Sequence, residues 1–82
     1  MKLVPLTLER AKNLTHRDML YHRIYKNADG SHERWRVNGM VKRWKREPDR
    51  IRVPIKHGLY NYWYVYHDTL EFWLIGEETT DA

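Results

Sequence analysis

In the stretch MLYHRIYK, Met19 to Lys26, Leu20, His22 and Ile24 alternate with Met19, Tyr21, Arg23 and Tyr25, and most of these residues favour strands. A first long strand is predicted there. Asp29-Gly30 follows as a turn dipeptide between strand-like runs, so a hairpin is expected. HERWRV, Asn38-Gly39 and MVKRWKR repeat the pattern around the dipeptide most favourable to a two-residue turn, which predicts a second hairpin. Pro48-Asp49 reads as the next turn. RIRVPIK then sets Ile51, Val53 and Ile55 against Arg50, Arg52, Pro54 and Lys56, the alternation of a half-buried strand. Pro54 cannot donate a ladder hydrogen bond and points to an edge or a bulge. His57-Gly58 turns the chain into LYNYWYVYH, where Tyr60, Tyr62, Tyr64 and Tyr66 share one face and Leu59, Trp63 and Val65 the other.

Only the ends depart from period two. TLERAKNL puts Leu8, Ala11 and Lys12 on one side of a short helix, with Thr7 as N-cap and Asn13 as its stop. Near the other end, Asp68 with Glu71 three residues on resembles a capping box, while EFWLI also suits a strand, so residues 68–75 read as either. The expected fold is mostly β (α+β): a small five- to six-stranded antiparallel barrel or bent sheet, SH3-like or OB-like, with a short N-terminal helix. Closing such short strands hides edges that would otherwise pair with other chains. A sheet with the terminal helix on one face is the alternative. With 82 residues the chain is expected to form a single domain over residues 1–76, followed by a flexible acidic tail at 77–82.

Charge changes the picture more than composition does. The chain has 41% hydrophobic and 13% aromatic residues, which suffices for a core, and no apolar run long enough to span a bilayer. The N-terminus lacks the apolar stretch of a signal peptide, so a cytoplasmic protein is expected, with no membrane partner. Zero cysteines exclude disulfides, thiolate metal sites and cysteine nucleophiles. The net charge of +4 is unevenly spread: residues 34–56 sum to +7, whereas residues 57–82 hold five acids and no Lys or Arg. A dense basic zone concentrates an anionic partner, although the acidic end could neutralise it internally.

If Asn38-Gly39 is a two-residue turn, Val37 faces Met40 and Arg34 faces Arg43. One face then holds His32, Arg34, Arg36, Val41, Arg43 and Lys45, and the other Trp35, Val37, Met40 and Trp44. A three-residue turn moves Arg36 opposite Lys42 but keeps the cations crowded. Like charges directly opposed destabilise a sheet by roughly 0.2 to 1 kcal/mol a pair, so something else must favour them. Phosphate contacts supply that reason, because Lys and Arg neutralise phosphates and release counterions. The candidate nucleic-acid-binding residues are therefore Arg34, Arg36, Lys42, Arg43, Lys45, Arg50, Arg52 and Lys56, with Trp44 as a stacking side chain. For a single cation, solvation of an outer face is the simpler account. For a segment at +7, binding an anionic surface explains more. DNA and RNA backbones would serve equally.

Tyr60, Tyr62, Tyr64 and Tyr66 form a line of about 20 Å at strand rise. They could stack on bases, cover the edge of a core, or bind a protein, and the acids that follow them favour protein contact. His16, His22, His32, His57 and His67 have no metal-ligand spacing, and no nucleophile triad, Walker-type loop or dinucleotide fingerprint occurs. Neither a cofactor nor a metal nor catalysis is expected. Residues 36–62, RVNGMVKRWKREPDRIRVPIKHGLYNY, with LTHRDMLYH before them, resemble small uncharacterised bacteriophage-type accessory proteins. The resemblance implies a short protein that binds host nucleic acid or inhibits a host protein, and it brings no activity or site residue with it. The expected function is a non-catalytic nucleic-acid-binding module using a basic β-hairpin face, with a protein-interaction module that binds a host protein as the alternative.

Overall fold

The structure, a computed structural model, describes residues 2–59 and 61–77. Among these, β1 (Lys2–Pro5), α1 (Leu8–Lys12), β2 (Met19–Lys26), β3 (His32–Val37), β4 (Lys42–Trp44), β5 (Glu47–His57) and β6 (Asn61–Tyr66) lead to a 3₁₀ helix (His67–Phe72) and β7 (Trp73–Glu77). The ends thus hold both alternatives in turn, helix and then strand, and Glu77, expected in a tail, closes β7. Residues 78–82, the rest of that expected tail, lie outside the described residues, as does Tyr60.

The strands form one antiparallel sheet in the order β1-β7-β2-β3-β5-β4, with β6 on the other side of β5. It does not close into a barrel, so the barrel expectation is corrected to an open sheet. The 3₁₀ helix, about 12 Å long at its rise per residue, touches β2, β5, β6 and β7, which requires the sheet to curve around it. That helix spans the open side. The extra strand relative to expectation is β1, whose Val4 pairs with Ile75 of β7.

Expected turns held where the dipeptide had no rival. β2 and β3 form the hairpin at Asp29-Gly30, where Gly30 adopts φ +87 and Asp29 accepts from the Ser31 hydroxyl at 2.6 Å and amide at 3.0 Å. Those two hydrogen bonds, the hydroxyl's foremost, hold the Asp29 carboxyl below the usual carboxylate range. Thr7 caps α1 by accepting from the Arg10 amide, and Asn13 ends it.

Asn38-Gly39 is not a hairpin turn. Arg36 and Val37 pair with Lys56 and Ile55, the Asn38 amide donates to the Pro54 carbonyl at 2.9 Å, and Lys42 and Arg43 resume the ladder opposite Arg52 and Ile51. β3 and β4 therefore run in one direction along the same edge of β5, and Gly39, Met40 and Val41 bulge out opposite Val53. Two neighbours explain this. Pro54 lacks an N–H on the side that its carbonyl presents to Asn38, so the ladder is interrupted there in any register. A Cβ on Gly39 would lie 3.1 Å from Pro54 Cγ, tighter than an ordinary contact, so the close pass favours glycine. The reversal comes later, at Lys45-Arg46, and Pro48-Asp49 lies inside β5 rather than in a turn.

Leu20, Val37, Ile51, Val53, Ile55 and Val65 have no exposed surface, and Leu6, Ala11, Leu14, Trp73 and Ile75 join them in one core. Leu8 and Leu70 pack against the same cluster, so both helices cover this face. Among the described residues the opposite face carries no helix. Among the described residues no helix is long and apolar enough to cross a membrane.

Candidate nucleic-acid interface

Residues paired in an antiparallel ladder point to the same side, so the register assigns every side chain to a face. Buried Val37, Ile55, Val53 and Val65 mark the core side. On the other side, Met19, Arg36, Lys56 and Tyr62 form a row across β2, β3, β5 and β6. Lys42, Arg52 and Tyr66 form a second row across β4, β5 and β6, with Pro54 and Tyr64 between the two. Arg34, opposite Tyr21, extends the cations along β3.

Cations and rings interleave on this face. The Arg52 guanidinium sits 5.0 Å from the Tyr64 ring centre and Lys56 Nζ 5.7 Å from that of Tyr62. At the tip of the β4-β5 hairpin, Arg50 and Lys42 flank the half-buried Trp44 ring at 4.5 and 5.3 Å. Each such contact at an exposed site contributes about 0.5 to 1 kcal/mol, enough to order the side chains without fixing them. Arg50 also pairs with Glu47 at 3.0 Å. Arg34, Arg36, Lys42, Arg52 and Lys56 take part in no ion pair among the described residues.

Two directly opposed pairs, Arg36 with Lys56 and Lys42 with Arg52, are like-charged. Each costs stability, and neither is relieved by an acid among the described residues. The acids Asp68 and Glu71 are on the 3₁₀ helix, whose Leu70 packs on the core side, and Glu77 pairs with Lys2 two strands beyond β3.

The face thus unites Arg34, Arg36, Lys42, Trp44, Arg50, Arg52 and Lys56 from the expected basic set with Tyr62, Tyr64 and Tyr66, which the sequence pattern had set apart as a protein-binding line. Arg43 does not belong: it opposes buried Ile51 and leaves the sheet on the core side, at the free edge of β4. Lys45 sits in the turn. The union of tyrosines and cations was legible only in part, since it needs the pairing of β5 with β6.

Histidines organise the opposite end. β2 is irregular between Tyr21 and Lys26, and His22 Nδ1 accepts from the amides of Ile24 at 3.1 Å and Tyr25 at 3.0 Å that the ladder would otherwise use. His22 also stacks on Tyr25 and meets the edge of Trp73, while His32 Nδ1 donates to the His22 carbonyl. His57 Nδ1 donates to the Arg34 carbonyl at 2.8 Å and leans on Trp35, locking β5 to β3 beyond their last backbone pair. Sequence spacing gave no signal for these roles. Among the described residues no three His, Cys, Asp or Glu side chains cluster to hold a metal.

Burial holds the His22 pKa below its ordinary value of 6.5, with Glu33 opposing and His32 reinforcing the shift. As pH falls through that ordinary value the unfolded chain takes the proton first, so His22 lowers stability from pH 6.5 downward until its folded-state pKa is reached. Urea unfolding of the wild type should show this loss between pH 7 and 5. His22→Asn, which keeps an acceptor and cannot charge, should lose less over the same range, and an equal loss would remove the role assigned to His22.

An open groove of about 700 Å³ lies elsewhere and mixes Arg10 and Arg17 with Asp18 and Glu77. A second, of about 500 Å³, runs along β6 and is lined by Tyr62, Trp63, Tyr64, Tyr66 and Phe72 among others. Fold and face define a mostly β domain whose open antiparallel sheet leaves a cationic and aromatic surface uncovered. Comparison with family models, curated proteins and solved structures finds no match to this chain.

Proposed function

We propose that this domain binds nucleic acid without catalysis, through the uncovered face of β3, β4, β5 and β6. The observation that carries the reading is the pair of like-charged oppositions, Arg36 with Lys56 and Lys42 with Arg52, none of whose members has an ion-pair partner among the described residues, Glu47 at the hairpin tip being paired with Arg50. Unrelieved repulsion across a ladder costs stability, and a phosphate backbone supplies the counter-charge. Solvation alone would be served as well by alternating signs. The resemblance to bacteriophage-type accessory proteins agrees with a short module of this kind acting in a host cytoplasm.

The test is binding of labelled DNA and RNA oligonucleotides of mixed sequence, measured over a range of salt. With five unpaired cations on phosphates, the log–log slope for a single strand should be about −3.5, so affinity falls roughly a hundredfold between 50 and 200 mM salt. No binding at low salt would overturn the reading.

A second reading rests on β6. Edge strands are ordinarily guarded by charge or proline, as β1 is by Lys2 and Pro5, yet Asn61–Tyr66 has neither, and Trp63 is 65% exposed. A host protein that adds a strand to this edge would use both its free backbone groups and its aromatic side chains, Tyr62, Tyr64 and Tyr66 among them. Recovery of one stoichiometric protein from nuclease-treated extract, with slowed amide exchange confined to β6, would favour it over the first.

A further inference from the structure

Resting on that nucleic-acid reading, the geometry points to a narrower ligand: a single strand, with its bases on Tyr62, Tyr64 and Tyr66 and its phosphates on Arg36, Lys42, Arg52 and Lys56. These tyrosines occupy alternate positions of one strand, about 6.6 Å apart along it, and the Tyr64 and Tyr66 ring centres lie 6.2 Å from each other. Duplex base pairs follow one another every 3.4 Å or so, half that spacing, and each base is already covered on both faces by its neighbours. A duplex can offer these rings only edges or phosphates. An extended single strand can place one unstacked base on each ring.

The cations stand where such a strand needs them. Tyr62 is directly opposite Lys56 and Tyr66 opposite Arg52, and one strand further in stand Arg36 and Lys42. Tyr64 is opposite Pro54, and Arg52 reaches its ring from the neighbouring position at 5.0 Å, so the three rings share these cations on one flank, and among the described residues the other flank of β6 is unpaired. Bases enter from that edge while the backbone follows β5. Arg52 and Lys56 lie against the tyrosine rings in the free protein, and a base stacked on tyrosine is worth more than the exposed cation contact that it displaces. The displaced cation then meets the phosphate of the same nucleotide. Because all bases have a π face, stacking on these rings is tolerant of sequence.

Fluorescence anisotropy tests this with a labelled 12-nucleotide single strand of mixed sequence and a blunt duplex of the same sequence, at one low salt concentration. The expected result is at least tenfold tighter binding of the single strand. Tyr64→Ala should weaken it by about 5- to 150-fold with an unchanged salt slope, since no phosphate contact is lost. Tyr64→Phe should bind like the wild type, and Tyr64→Thr, which keeps strand propensity, should bind like Tyr64→Ala. Equal affinity for both forms, or wild-type binding by folded Tyr64→Thr, overturns the single-strand inference and leaves the nucleic-acid reading standing. Failure to bind either form overturns that reading itself.

Discussion

Replacing Arg52 and Lys56 together by glutamate should abolish the proposed nucleic-acid binding while leaving the domain about as stable as the wild type. Both side chains lie on the uncovered face of β5, each between a cation on one side and a tyrosine on the other: Lys42 and Tyr66 for Arg52, Arg36 and Tyr62 for Lys56. Reversal turns two like-charged oppositions into two favourable ones, a gain on the order of 0.5 to 2 kcal/mol that salt reduces, and it removes the cation–π contacts of Arg52 with Tyr64 and Lys56 with Tyr62 at about 0.5 to 1 kcal/mol each, so the two nearly cancel. A charge-assisted contact to phosphate contributes about 1.5 to 3 kcal/mol, so losing two weakens binding by a hundredfold or more before the repulsion of the new carboxylates is counted. The separation of the two effects, binding lost and stability kept, is the informative part. Thermal unfolding and anisotropy on the same preparation read both, and a variant that lost stability and kept its affinity would show that these cations serve the fold.

Ile55→Ala should be the most damaging single substitution in the core. Ile55 has no exposed surface and stands where β5 is paired on both sides, with Val37 of β3 and Trp63 of β6. Truncating a buried isoleucine costs about 2 to 5 kcal/mol through lost transfer energy and the cavity left behind. A domain of this size holds roughly 4 to 12 kcal/mol in all, so the melting temperature should fall by about 10 to 30 °C. Trp63→Ala, in the same ladder row but 65% exposed, should cost less than about 1 kcal/mol. Comparable losses from the two variants would mean that the core does not extend under β5 as described. Nucleic-acid binding by Trp63→Ala should survive, since its ring is on the other side of the sheet from Tyr62 and Tyr64.

Much of the fold could be read from local pattern. The alternation of Ile51, Val53 and Ile55 places β5 and its faces correctly, Thr7 and Asn13 bound the helix, and Asp29-Gly30 marks a real hairpin, because in each case the determining contacts lie within a few residues. Asn38-Gly39 misled for the complementary reason. Its turn propensity is genuine, but Pro54, sixteen residues away, leaves a gap in the ladder that a bulge fills, and Gly39 serves to pass close to the proline ring. Pro48-Asp49 failed as a turn because the chain had already reversed at Lys45-Arg46, and β1 escaped notice because four residues are too few to show a period.

The candidate face divides in the same way. Sequence alone determined that residues 34–56 carry a charge of +7 and that alternation would gather most of it on one side of a sheet. Period two is a property of the strand itself, and it holds whatever the strand pairs with. Only the tertiary structure decided which strands lie side by side: it carried Arg43 to the other face, aligned Arg36 with Lys56 and Lys42 with Arg52, and laid Tyr62, Tyr64 and Tyr66 along the margin of the cations. Register is set by packing of the buried face and by the bulge at Gly39 to Val41, and those depend on contacts between residues far apart in the chain.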